Sequence, residues 1–170
     1  MNELHHVRRL SRLRSVGVAT LAALAPLAAL APSQVQAEEI TVRITRVKAL
    51  DKIDALSRAD FVARVTIAGE AFTTAVSRNK DDIRPNWTLR KKVSGGVHDV
   101  KVEILDKDVT KSDLIDINRV AGKRDLNFKV DTAKCVVTGF SDPYRCGSTI
   151  VRSGTERKRA LIIFSVTVKR

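Results

Sequence analysis

Histidine and cysteine are scarce in this chain. Of its 170 residues, three are His and two are Cys. His5 and His6 stand at the N-terminus, and His98 is isolated beside an apolar run. A Cys-rich metal site is excluded, and almost nothing remains for His-based catalysis. Aromatic residues make up 4%, which disfavours nucleic-acid binding through stacking platforms. No nucleophile–base pair, catalytic zinc triad or phosphate-binding loop can be read, so no enzyme is expected. Internal repeats and low-complexity tails are also missing. What is present is a globular composition, 44% hydrophobic and 29% charged. Lys+Arg is 31 against Asp+Glu 19, a net of +12. A charge of that sign points to an acidic partner: an anionic lipid surface, nucleic acid or an acidic protein.

Residues 1–37 read as an export signal. Arg8, Arg9, Arg12 and Arg14 precede an apolar run from Val16 to Ala31, and Val35-Gln36-Ala37 closes the segment with small or apolar residues. Cleavage is expected after Ala37, leaving a domain over 38–170. The alternative is a permanent membrane anchor, but the run is rich in Ala, carries Pro26 and meets Pro32, and falls short of the roughly 20 residues a span needs. Arg8-Arg9 leaves a twin-arginine route open. Export places the domain in the periplasm or outside the cell, where no transmembrane span is expected to remain. In that oxidising setting Cys135 and Cys146 are expected to pair. They lack the Cys-x-x-Cys spacing of redox thiols.

Period-two alternation recurs from residue 40 onward. Phe61, Ala63, Val65 and Ile67 share one parity. Trp87, Leu89 and Val93 share another, as do Val100, Val102 and Ile104; Leu126, Phe128 and Val130; and Ala160, Ile162, Phe164, Val166 and Val168. The stretch from Ile40 to Leu50 is rich in β-branched residues. Gly69, Gly95-Gly96, Gly122, Gly139 and Gly154 punctuate these runs. No sustained helical stripe follows the leader; Asp51 to Asp60 has room for one turn. The expected fold is all-β: an antiparallel Greek-key sandwich of about eight strands.

Aspartates gather in two places. Asp51, Asp54 and Asp60 lie between the first two strands; Asp106, Asp108 and Asp113 follow the strand ending near Ile104. The parity of Val100, Val102 and Ile104 continues through Asp106 and Asp108, so both carboxylates leave the sheet on its inward side at its rim. Two like charges so placed raise each other's pKa unless a cation lies between them. A hard cation with six to eight oxygen ligands, such as Ca²⁺, suits such a cluster.

Four motifs, in order over about 80 residues, resemble the calcium- and phospholipid-binding C2 domain. Thr41-Val42-Arg43-Ile44 running into Ala49-Leu50-Asp51 is similar to that family's opening strand and first calcium loop. Asp60-Phe61-Val62 stands where the family has Asp-Pro-Tyr-Val. Arg84-Pro85-Asn86-Trp87 resembles its Asn-Pro-x-Trp, and Val102 to Asp108 resembles its Val-x-Asp-x-Asp, continued by Ser112-Asp113. The resemblance implies Ca²⁺ ligands at Asp54, Asp60, Asp106, Asp108 and Asp113, with Asp51 competing with Asp54 for the first place. The chain departs from the family at Phe61 in place of Pro, in a short Asp108–Asp113 loop, and at Asp116 where Gly is common.

Each residue also has a plainer reading. Asp caps turns. Arg84, Arg90, Lys91 and Lys92 form either a basic face for lipid phosphates or a solvated strand face. Leu56 and Val109 either insert at a membrane from loop tips or pack beneath the loops. Trp87 reads as core. Two binding functions remain: a Ca²⁺-dependent module that docks on an anionic membrane or an acidic protein, and a calcium-independent sandwich for protein contacts. An enzyme with an unrecognised site is the third and weakest reading.

Overall fold

The structure, a computed structural model, describes residues 37–54, 57–108 and 112–170. Residues 1–36, nearly all of the expected leader, and Leu56 and Val109 lie outside the described residues. Along the chain run β1 (Glu38–Ala49), β2 (Phe61–Ile67), β3 (Glu70–Thr73), β4 (Asp82–Ile83), β5 (Trp87–Val93), β6 (Val97–Lys107), β7 (Ser112–Ile115), β8 (Leu126–Asp131), β9 (Val136–Thr138), β10 (Tyr144–Arg145), β11 (Ile150–Ser153) and β12 (Ala160–Lys169). One sheet has the order β11-β12-β1-β4, with β5 also on β1; the other has the order β10-β9-β8-β6-β2-β3, with β7 also on β6. All paired strands are antiparallel. The expected sandwich is therefore present, with twelve described strands instead of about eight. The surplus comes from pieces of two to four residues, such as β4, β9, β10 and β11, too short to show an alternation.

The alternating residues form the core. Ile40, Val42 and Ile44 of β1 meet Ile162, Phe164 and Val166 of β12 in one layer; Val65 and Ile67, Val100, Val102 and Ile104, and Leu126, Phe128 and Val130 supply the other. Phe128 and Phe164 stack across the layers with ring centroids 5.8 Å apart. In β1 the register shifts between Ile44 and Arg46. This bulge lets Val47 rather than Arg46 follow Ile44 into the core. Trp87 is half-buried and packs against the same core.

The register fixes which ends meet. Ala49 pairs with Ala160, and Phe61 with Asp106. Backbone bonds then tie the loops at that end: Leu50 N–H to Arg159 O (2.8 Å), Lys107 N–H to Asp60 O (2.9 Å), and Asp116 N–H to Lys158 O (2.9 Å). The described residues of 50–54, 57–60, 107–108, 112–113 and 154–159 thus share one rim. No helical turn forms at the described positions between Asp51 and Asp60. Ile53 and Ala59 are drawn into the core. Asp51 and Asp60 at the two ends of the segment bond to other loops, through Arg159 and Asn79, which competes with a local helix.

At the far end of the second sheet, Cys135 and Cys146 form the expected disulfide, with Cα atoms 5.2 Å apart. It closes the β9–β10 hairpin, where Cys146 N–H also donates to Cys135 O at 3.0 Å.

Candidate cation-binding rim

Asp106 is the centre of the rim. It ends the inward parity of β6 and is 2% exposed. Its Oδ1 accepts the backbone N–H of Asp60 at 2.7 Å, so the strand end and the first loop are joined through a carboxylate. Burial pushes its pKa up; the Asp60 N–H opposes this, while the charges of Asp108 and Asp54 push it further and Lys158 pulls it back. The two aspartate groups, distant in sequence, therefore do meet at one end of the sandwich.

The five sequence-derived candidates are engaged differently. Asp54 accepts a short hydrogen bond from the Ser57 hydroxyl, and its charge reaches Asp106. Asp108 is exposed just past β6, with no ion pair among the described residues. The Asp60 carboxylate turns toward the neighbouring loop, where its Oδ1 accepts the N–H of Asn79 at 2.7 Å. Asn79 presents that N–H from a left-handed conformation, φ 52°. Asp113 faces Asp106 across the β6–β7 ladder and forms an ion pair with Lys158 at 2.5 Å. Asp51 is committed elsewhere. Arg159 grips it by side chain (Nη2 to Oδ1, 2.7 Å) and by backbone N–H (3.1 Å), which holds its carboxyl below the usual carboxylate range. Asp54 is thus the first-loop residue whose charge acts at the centre. Among the described residues no group of three or more acidic, His or Cys side chains forms a ready-made cation cage.

Lys158 and Arg159 were not anticipated from the sequence, although a signal exists. Arg157-Lys158-Arg159 directly precedes the last strand, and a last strand antiparallel to the first must begin where the first ends. Asp116, noted only as a departure from the family pattern, builds their platform. It is fully buried. Its Oδ1 accepts Asn118 N–H (2.9 Å), and its Oδ2 accepts Thr155 N–H (2.8 Å) and Glu156 N–H (2.7 Å). Gly154 allows this approach: a Cβ there would lie 2.2 Å from Asp116 O. The clasp fixes the turn in which Lys158 adopts φ 60° and reaches Asp113.

The basic strand face is split. Arg90 and Lys92 point outward, and Arg90 lies 4.0 Å from Glu39. Lys91 has the inward parity of Leu89 and Val93; its Nζ donates to Ala68 O (2.9 Å) and pairs with Glu70 at the sandwich edge. Arg90, Lys91 and Lys92 therefore do not act as one patch, because adjacent strand residues face opposite ways.

No family model matches the chain, and no curated protein is similar to it. Solved structures are similar in fold. Human group IVD cytosolic phospholipase A2 matches at TM-score 0.52 and 16% identity, over 78% of this chain and 16% of that one. This chain thus spans about a sixth of the enzyme's length. A C2 domain matches at TM-score 0.53 and 13% identity, over 78% of this chain and 99% of its own. A pair of C2 domains, the A and B domains of extended synaptotagmin 2, matches at TM-score 0.57 and 10% identity, over 89% of this chain and 47% of that one. The same pair in calcium-bound form matches at TM-score 0.53 and 10% identity, over 76% and 45%. Two antiparallel sheets with this likeness make the fold of the chain a C2-like β-sandwich.

Proposed function

We propose that the chain is an exported C2-like binding module that takes up Ca²⁺ at the aspartate rim and, so loaded, docks on an anionic membrane surface or an acidic protein partner. One observation carries this reading. A buried carboxylate, Asp106, stands in the field of Asp108 and Asp54, and its ionised form is disfavoured. Such an arrangement is costly for an isolated protein and favourable around a divalent cation. Asp54, Asp106 and Asp108 are the oxygen donors nearest to this role. Asp60 holds the first loop in place through Asn79 and through its own N–H on Asp106. Asp113 is shared with Lys158. Calcium supplies the positive charge that lets these carboxylates stay ionised together. A calcium-bound form among the similar folds supports the choice of ion. The disulfide and the basic leader support export to the periplasm or beyond. No catalytic role is assigned.

The calcium-independent reading is favoured by a different observation: Lys158 already places one cation against Asp113. Calorimetry of the protein against Ca²⁺, with Asp106→Asn and Asp108→Asn alongside, separates the two. The proposal expects saturable binding in the millimolar range or tighter, a Ca²⁺-dependent rise in melting temperature by linkage, and loss of both in each variant. No heat and no thermal shift at millimolar Ca²⁺ would establish the calcium-independent module instead.

A further inference from the structure

A second polar site lies on the flank of the sandwich, between edge strand β11 and the β8–β9 side of the other sheet. Here Arg152 points inward with the core parity of Ile150 and is 9% exposed. An inward charge on an edge strand has a plain use, since it blocks pairing with another chain's strand. That use does not require the surroundings found here. The guanidinium lies 4.3 Å from the centroid of Phe140 and 5.3 Å from that of Tyr144. The two rings meet edge to face at 5.8 Å, so they fix its plane. Nη1 donates to Val151 O at 2.9 Å. No carboxylate pairs with Arg152 among the described residues, although a buried charge ordinarily has a counter-ion.

The guanidinium opens on a cavity of about 280 Å³, whose wall includes Arg119, Lys123, Asn127, Phe140 and Ser141. Among the described residues no acidic side chain lines it. The two nearest in sequence are held nearby by other groups: Asp125 accepts from Asn127 Nδ2 at 2.8 Å, and Asp142 from the Ser141 hydroxyl at 3.2 Å. Three cations around one small, partly aromatic cavity favour a ligand of opposite sign. Three positive charges suit a dianion better than a single carboxylate. A fixed Arg fork is the side chain whose donors match phosphate oxygens in pairs. The volume lies at the lower end of the range for small-ligand sites, which suits a phosphate group with a short organic stub.

We propose that this flank cavity binds a phosphate monoester, with Arg152 as the preoriented donor and Arg119 and Lys123 as the flanking charges. The cavity shares no lining residue with the aspartate rim, so binding here is independent of calcium. The phosphate is either part of a lipid headgroup or a small soluble ester, and both present the same dianionic group.

The test uses the whole protein in excess chelator. Calorimetry with glycerol 3-phosphate reads the soluble source. Co-sedimentation with phosphatidylcholine vesicles containing phosphatidate, against phosphatidylcholine alone, reads the lipid source. Arg152→Gln is expected to weaken binding about tenfold or more, as loss of a bidentate charged donor does. Arg119→Gln with Lys123→Gln, both at exposed positions, is expected to weaken it several-fold without touching the core. Phosphate-dependent binding in either arm that falls in both variants supports the site and identifies its source. Absence of binding in both arms, or binding unchanged in the Arg119/Lys123 variant and in a folded Arg152→Gln, overturns it. Ca²⁺ titration of the same variants is expected to be unchanged, so failure of this site is distinguishable from failure of the calcium reading.

Discussion

Asp106 Oδ1 accepts the backbone N–H of Asp60 at 2.7 Å. The contact needs an oxygen acceptor and does not need a charge. Asp106→Asn keeps the acceptor and removes the ionisation that burial and the neighbouring aspartates disfavour. The sign follows from linkage. A carboxyl whose pKa is raised on folding holds its proton more tightly in the folded state, so its ionisation lowers stability as pH rises through that pKa, and the penalty vanishes on acidification. In chelator, Asp106→Asn is expected to melt higher than the parent near neutral pH, with the two curves converging as pH falls. Melting temperature against pH is the measurement, and a variant that melts lower at neutral pH would contradict the assignment. Asp51, Asp82 and Glu103 run the other way. Arg159, Arg46 and Arg64 hold their carboxyls below the usual range, so their contribution is present above that range and is lost in acid. The parent protein is thus expected to lose stability at low pH despite the gain at Asp106.

Lys158 is a tethered cation at the place where a mobile one is proposed. Its ion pair with Asp113 is 2.5 Å long and about a third exposed on each side, so it adds little to stability. Its charge also acts on Asp106. Replacing it with Met keeps much of the stem and removes the competitor. Lys158→Met is expected to tighten Ca²⁺ binding by up to about tenfold, equivalent to about 1.4 kcal/mol, with the gain shrinking at high salt. The chelated protein is expected to change in melting temperature by only a degree or two, within the small range for a surface pair. Calorimetry at two salt concentrations checks both statements. Unchanged affinity would show that Asp113 and Lys158 stand outside the site.

The architecture was legible because the apolar residues of the core strands alternate: Val100, Val102 and Ile104 carry their parity through to Asp106, which the structure buries, whereas Asp108, expected on the same inward side, lies past the end of the strand and is exposed. Which aspartates act together was only half legible. Asp51 and Asp54 are three residues apart, and periodicity has nothing to say about an irregular loop. Arg159, more than a hundred residues later, sets the two apart by gripping Asp51. The split of Arg90, Lys91 and Lys92 was implied by the strand period, since Leu89, Lys91 and Val93 share one parity. Arg152 was illegible for another reason. A single Arg in a four-residue strand gives no pattern, and its burial depends on Phe140 and Tyr144 from a separate hairpin.

Asp116 and Gly154 form a unit that positions Lys158. Any side chain at Gly154 collides with Asp116, whose carbonyl oxygen a Cβ would approach to 2.2 Å. Gly154→Ala is expected to cost about 1–3 kcal/mol, the usual range for overpacking. Asp116→Asn puts an amide N–H against at least one backbone donor now satisfied by a carboxylate oxygen. It is expected to cost about 1–3 kcal/mol for each donor left unpaired in the interior. Denaturant unfolding measures both. If either variant matched the parent, the clasp would not be holding the loop.

The disulfide tests how far the two sites are independent. It closes a short loop, with a sequence separation of 11, and on the chain-entropy model its loss costs about 3 kcal/mol. Phe140 and Tyr144 lie within that loop, and they fix the guanidinium of Arg152. The rim at the other end takes none of its residues from that loop. Cys135→Ser with Cys146→Ser is therefore expected to lower the melting temperature and to weaken phosphate-monoester binding several-fold, while the Ca²⁺ affinity of the remaining folded protein stays that of the parent. A parallel loss of both affinities at a temperature where the variant is fully folded would mean that the hairpin and the rim are coupled through the sheets, and that the flank cavity is not a separate site.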